Sequence, residues 1–243
     1  EQRFFELPNQ EAKFPALIKL LQHYQPRSAV IFCNMKQQTQ QVADQLKAKG
    51  YSALALHGDL EQRERDQVVV RFANQSCSVL VATDVAARGL DIKELQAVVN
   101  YDITPDPEVH VHRIGRTGRA GQTGLALTLT TATQGSRVVA VEDYQQSRAV
   151  WGDLTELKKN PDNMKPDMVT LCIDGGRKSK VRPGDILGAL TKEAGFNGQH
   201  IGKINIAELH AYVAVHHSIA NKAYNYLQDG KIKGRKVKVR KLV

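Results

Sequence analysis

The sequence predicts an α/β chain, with a doubly wound parallel sheet in a first domain and a small βαββαβ arrangement in a second. Three observations carry this reading. Short continuous apolar runs such as Ala29-Val30-Ile31-Phe32-Cys33 alternate with amphipathic stretches, the pattern of strands buried on both faces and covered by helices. The alternation lapses over 148–166, where Asn, Pro and Lys accumulate. The charge then changes, because residues 1–166 hold 20 Lys and Arg against 19 Asp and Glu, whereas residues 167–243 hold 14 against 6. We expect a first domain over 1–150, a linker over 151–166 and a basic second domain over 167–243.

Each element follows from its periodicity. Residues 3–7 read as a strand, and 10–24 as a helix because Phe14, Leu17, Ile18 and Leu21 recur at helical spacing. The run at 29–33 is the next strand, and the helix over 36–49 is ended by Gly50. Strand and helix then alternate through 53–56, 60–72, 78–82, 97–101, 107–114, 124–130 and 134–146. In the tail, a strand at 169–173 leads into a Gly-Gly and basic loop at 175–184 and a helix at 185–194. Strands at 201–206 and 210–215, a helix at 219–227 and a strand at 236–242 complete the split-βαβ order.

Composition narrows the function. The longest apolar runs are about the length of a strand, so no membrane span is expected. No charged start followed by an apolar stretch marks a signal peptide, and the opening Glu1 leads us to expect more sequence upstream. Cys33, Cys77 and Cys172 are odd in number, widely spaced and without a CxxC pair, as expected of reduced thiols in a cytoplasmic protein with no metal site. Of the net charge of +9, the last third carries +8, which points to a polyanionic partner such as nucleic acid.

The polar clusters follow predicted strand ends, where ligands of such sheets sit. Asn34, His57-Gly58-Asp59 and Thr83-Asp84 stand there, Thr83-Asp84 also reading as a helix N-cap and His57 as a hydrogen-bonded loop histidine. The densest chemistry is His112-Arg113-Ile114-Gly115-Arg116-Thr117-Gly118-Arg119. Its three arginines fall at i, i+3 and i+6, nearly one side of a helical turn, so one polyanion can meet them all, and guanidinium pairs bidentately with phosphate. Taken alone, the same octapeptide also reads as a basic helix start paired with local carboxylates.

Ile31-Phe32-Cys33-Asn34, His57-Gly58-Asp59 with Gln62 and Arg65, Ala82-Thr83-Asp84-Val85-Ala86-Ala87-Arg88-Gly89-Leu90-Asp91 and the octapeptide from His112 together resemble the second RecA-like domain of DEAD-box RNA helicases. The resemblance implies that Arg116 and Arg119 are arginine fingers for the ATP γ-phosphate, that His112 and Arg113 bridge to the other RecA-like domain, and that Gly89 and Asp91 contact the nucleotide. It further implies that Gly58, Gln62, Arg65 and Thr83 lie along the RNA backbone. No Gly-x-x-x-x-Gly-Lys-Ser/Thr loop and no Asp-Glu-Ala-Asp is present. ATP with Mg2+ is therefore expected to be bound mainly by an upstream N-terminal RecA-like domain, and this chain alone to be inactive as a hydrolase.

Thr170-Leu171-Cys172-Ile173-Asp174-Gly175-Gly176 and Arg182-Pro183-Gly184-Asp185 resemble the RNA recognition motif tail of the DbpA subfamily, which implies large-subunit (23S) ribosomal RNA as partner, in ribosome assembly. Arg177, Lys178, Lys180 and Arg182 crowd the first loop, with Gly175, Gly176 and Gly184 letting backbone approach phosphate, and Lys236 and Lys238 stand on the last strand. Cys172 and His210 occupy positions where such motifs usually carry aromatic rings, leaving Tyr212 as the stacking candidate. Two other readings compete. A passive RNA-binding chaperone has no use for Arg116 and Arg119 as fingers, and a DNA helicase of the same superfamily sits poorly with an RNA recognition tail.

Overall fold

The computed structural model describes residues 1–88, 95–118, 124–160 and 164–242. The chain forms two compact units, Glu1–Val68 with Ser78–Lys165, and Val69–Cys77 with Pro166–Val243.

The first unit alternates strands β1 (Gln2–Leu7), β2 (Ala29–Phe32), β3 (Ala53–Leu56), β4 (Val79–Ala82), β5 (Ala97–Asn100) and β6 (Leu125–Thr131) with helices. These are α1 (Lys13–Tyr24), α2 (Lys36–Ala48), α3 (Gln62–Ala73, its residues from Val69 onward counted with the second unit), α4 (Asp84–Ala87), α5 (Pro107–Ile114) and α6 (Gly135–Gln145). The six strands pair in the order β1-β6-β5-β2-β4-β3, all parallel. Every residue of β2, β4 and β5 is buried, which is why their sequences are unbroken apolar runs. From β2 the chain turns one way, to β3, and from β5 the other way, to β6. The neighbours β2 and β5 thus define the switch point at whose carboxyl end doubly wound sheets bind ligands.

The segment expected as a linker packs on this unit instead. Phe4 donates its N–H to Val150 O and its carbonyl accepts from Gly152 N, both at 2.8 Å, with Trp151 bridged to Phe4 as a short parallel addition to β1. Gly152 is required there, because a side chain would run into the Phe5 ring. Leu154, Leu157 and the buried Met164 then cover the first unit's core. Single apolar residues at irregular spacing carry no periodic signal, so sequence patterning reads such a strap as a loop.

The second unit follows the split-βαβ order, with β7 (Met168–Asp174), α7 (Pro183–Gly188) continued by a π turn over Ala189–Glu193, β8 (Ile201–Ile206), β9 (His210–His216), α8 (Ala220–Asp229) and β10 (Val239–Leu242). Its antiparallel sheet runs β10-β7-β9-β8. Leu171, Ile173, Ala211, Val213 and Val215 alternate onto the core face with Ile186, Leu190, Ala223 and Leu227 of the helices. On the other face Thr170, Cys172, Tyr212 and Ala214 are buried too. The Thr170 hydroxyl is bonded there to Asn74 and Ser76, from the Val69–Cys77 segment of the same unit.

Candidate functional site

In the first unit, the polar residues that follow the strands meet around one side chain, Arg113. Its helix α5 starts where Asp106 accepts a hydrogen bond from Glu108 N at 2.9 Å, and Pro107 supplies the fixed first turn. Arg113 is 2% exposed. Nε and Nη2 fork onto the Asp84 carboxylate at 2.6 Å each, and Nη2 also donates to Asn34 Oδ1 at 2.8 Å. Nη1 donates to Asn100 Oδ1 at 3.2 Å and to the Asp102 carbonyl at 2.7 Å. All five guanidinium donors are satisfied, and the Phe32 ring lies 5.1 Å away. A buried cation is tolerable only with such complete pairing.

The network plugs the switch point. Asn34 follows β2, Asp84 follows β4, and Asn100 and Asp102 close β5, so one guanidinium ties three strand ends together. Asp102 extends it, accepting from Asn34 N at 3.1 Å and from the buried Lys13 Nζ at 2.7 Å. Sequence reading missed Asn100, Asp102 and Lys13. Lys13 stands four residues before Leu17 and seven before Leu20 on the buried stripe of α1, which was its one available signal.

The donors of Arg113, expected to bridge to another domain, are thus taken up within its own unit, and Arg113 and Arg116 do not share one stripe. The helix ends at Ile114, so Arg113 turns into the core, while Arg116 stands in the turn beyond it. His112 and Arg116 line a cleft of about 110 Å³ with Phe32, Asp84, Ala87, Arg88 and Val109. The His112 side chain is 70% exposed, 4.0 Å from Glu108 Oε1. Gly89, Asp91 and Arg119 lie outside the described residues.

On the neighbouring strand ends, Asp59 N donates to His57 Nδ1 at 3.3 Å, so Nε2 carries the proton it shares with Gln40 Oε1 at 3.1 Å. Thr83 N–H donates to Leu56 O, and its hydroxyl caps α4 by accepting from Ala86 N at 3.4 Å. Arg65 reaches the same short helix, donating from Nη2 to Ala86 O at 2.7 Å. Part of its donor capacity is thus engaged within the unit. Gln62 and Gly58 are exposed, Gln62 donating to Asp66 Oδ1 at 2.7 Å and Gly58 having open space around it.

On the far side of α5, His110 is wholly buried, stacked on Phe4 at 5.8 Å with the Gln2 amide 3.2 Å from Nε2. Burial, with the Arg113 charge adding to it, pushes its pKa down from 6.5 to about 4.

In the second unit, the basic loop folds onto the β8–β9 turn. Arg177 N and Lys178 N donate to Ala207 O and Glu208 O at 2.9 and 3.0 Å. Gly176 serves this closure, since a side chain there would strike the Ala207 and Glu208 backbone, whereas Gly184 has open space. Lys233 Nζ donates to Lys180 O at 3.1 Å and lies 3.9 Å from Asp185. That contact joins two basic runs, Arg177, Lys178, Lys180 and Arg182 with Lys231, Lys233 and Arg235. Glu208 comes within 2.9 Å of Lys178, an acidic neighbour that sequence did not reveal, though such an exposed pair adds little stability. Lys236 and Lys238 are exposed just before β10, which starts at Val239.

Tyr212 corrects another expectation. At 4% exposure, between Cys172 and Asn205 on adjacent strands, its ring has no face open to a base.

Comparison with known proteins agrees with both halves. Residues 12–121 match the helicase conserved C-terminal domain, and residues 170–241 match the DbpA RNA binding domain. The C-terminal domain of the DEAD-box protein Dbp5 is 32% identical and superposes with a TM-score of 0.58 over 62% of this chain and 88% of its own. The chain belongs to the DEAD-box RNA helicase family. Within that family it is of the DbpA type, being 52% identical over 242 residues to the ATP-dependent RNA helicase DbpA of Escherichia coli (strain K12), a match covering all of this chain and 52% of that protein. The chain spans about half the length of the curated DbpA relatives it matches. Another DEAD-box structure, Saccharomyces cerevisiae Dbp5 bound to RNA and ADP BeF3, is 31% identical with a TM-score of 0.60, over 63% of this chain and 41% of that one.

Proposed function

We propose that the protein is an ATP-dependent RNA helicase that remodels large-subunit (23S) ribosomal RNA during ribosome assembly in the cytoplasm, this chain supplying the finger-bearing RecA-like domain and the RNA-targeting tail. Arg116 on the cleft wall carries the catalytic reading, because the helix before it is bolted to three strand ends by Arg113. A guanidinium positioned in advance opposes the charge that develops on a transferring γ-phosphoryl group without needing to be ordered at that moment. We assign His112 and Arg119 to the same approach, and Gly89 and Asp91 to the nucleotide. Among the described residues, no group of three His, Cys, Asp or Glu is placed to hold a metal ion. We assign magnesium and the ATP phosphates to an upstream N-terminal RecA-like domain, because the phosphate-cradling Gly-x-x-x-x-Gly-Lys-Ser/Thr loop and the Asp-Glu-Ala-Asp carboxylates are motifs this sequence does not carry.

Gly58, Gln62, Arg65 and Thr83 surround the loop after β3 and the start of α4, and small polar groups beside one arginine suit an RNA backbone. The joined basic runs of the second unit, with Lys236 and Lys238, supply the tail's affinity. In the protein with its upstream domain, Arg116→Ala should lower RNA-stimulated ATP turnover by roughly 10³–10⁵-fold and leave RNA affinity within about twofold. Normal hydrolysis by that variant would remove the finger assignment.

A further inference from the structure

At the end of the second sheet away from the basic loop, three imidazole rings stand in a row, one pair stacked and the next tilted. His200 ends the 3-10 turn Gly198–His200, His216 ends β9, and His217 follows it. The rings of His200 and His216 are 5.3 Å apart and 24° from parallel, and those of His216 and His217 are 4.4 Å apart at 34°. Their backbone is anchored. Asn197 Oδ1 accepts from Gln199 N to cap the turn, and His217 N donates to Asp167 O at 3.0 Å. The middle ring is fixed by Ser218, whose N–H donates to His216 Nδ1 at 3.3 Å and whose hydroxyl lies 2.7 Å from the same nitrogen. His217 is exposed, and the other two are half-buried.

We infer that the His200–His216–His217 row is a docking platform for an unpaired RNA base, an inference that rests on the reading of the second unit as RNA-binding. The exposed His217 at the end of the row offers a newcomer its ring, and an unstacked base is the flat, sequence-tolerant π-surface that stacks on histidine as on other aromatic side chains. The sheet face, where such a base would otherwise lie, is closed, because Thr170, Cys172 and Ala214 have no exposure and Tyr212 only 4%. The exposed Lys203, three residues beyond His200 in the β8 bulge, is the cation for the flanking phosphate. In register, Asp174 pairs with His210 and Met168 with His216. The platform therefore lies about 20 Å from the basic loop, six residues at 3.3 Å each, so one RNA can hold both at once through a structured part and a single-stranded extension.

The test uses the full 243-residue chain at low salt, where phosphate contacts suffice to hold any RNA. The probes are a blunt RNA hairpin and the same hairpin with a ten-nucleotide single-stranded extension containing 2-aminopurine, whose fluorescence falls on stacking. Expected are quenching in the parent chain, loss of quenching in H200A/H217A with roughly 5- to 10-fold weaker binding of the tailed RNA, and recovery in H200F/H217F. The blunt hairpin should bind the alanine variant as it binds the parent. Unchanged quenching and affinity in H200A/H217A, or equal loss for both RNAs, would overturn the platform while leaving the basic patch standing. Failure of the parent chain to bind either RNA would overturn the RNA-binding reading, and the platform with it.

Discussion

The two units carry arginine and lysine in opposite ways. In the first, Arg113 is 2% exposed and all five of its donors end on groups of the same unit, so its charge holds structure together. In the second, Arg177, Lys180, Arg182, Lys231 and Arg235 are either exposed or flank an exposed turn. Lys233 and Lys178 help to shape that patch, through Lys180 O and the Glu208 carboxylate. The same chemical group is a strut where strand ends converge on it and a ligand for polyanions where they do not. Sequence density of cations does not distinguish the two, whereas burial does.

The sharpest way to break this comparison is to remove the strut. Arg113→Ala leaves Asp84, Asn34 and Asn100 without their partner and should destabilise the first unit by about 3–5 kcal/mol. Urea unfolding followed by fluorescence of Trp151, the single tryptophan, which lies against Phe4 of the same unit, reads this directly. Arg113→Lys should recover only a minor part, since an ammonium lacks the planar fork. A variant as stable as the parent would mean that the network is ornamental.

A second test sharpens what burial does to a titratable group. His110 has a folded pKa of about 4 against 6.5 in an exposed chain, so the unfolded state binds the proton first as pH falls. Its contribution is present in full above pH 6.5 and is lost between about 6.5 and 4, on the order of 3 kcal/mol in all. The Trp151 transition should move to lower urea over that interval, and His110→Phe should flatten the slope. An unchanged slope in that variant would place the acid sensitivity elsewhere.

The smallest effect on stability is expected in the second unit. Replacing Arg177, Lys178, Lys180 and Arg182 by alanine should change its stability by less than about 0.5 kcal/mol, as is usual for exposed positions. RNA binding should respond instead, with the log-log salt slope flattening by roughly 0.7–0.9 for each phosphate contact removed. Binding titrations at several salt concentrations decide it, and unchanged affinity would refute the patch.

Periodicity made the fold legible. The buried runs of β2, β4 and β5, the helical spacing of α1 and the split-βαβ order of the tail all appear where patterning places them, because period and run length are local properties of a chain. The strand-end clusters were legible for the same reason, and the octapeptide from His112 to Arg119 was found by its density of charge and glycine.

Partnership was not legible. Which of Arg113 and Arg116 faces the core depends on where α5 stops and on Asn34, Asp84, Asn100 and Asp102, residues up to 79 positions away. The same holds for Tyr212, an aromatic at an expected surface position that is 4% exposed, and for Leu154, Leu157 and Met164, which find the first unit's core. Lys233 reaching Lys180 O across 53 positions turned two basic runs into one surface. The sequence by itself determined the elements, their order and the family, since these follow from local pattern. Only the tertiary structure decided which charges became struts and which stayed available, because a side chain's solvation is set by residues distant in sequence that folding brings beside it.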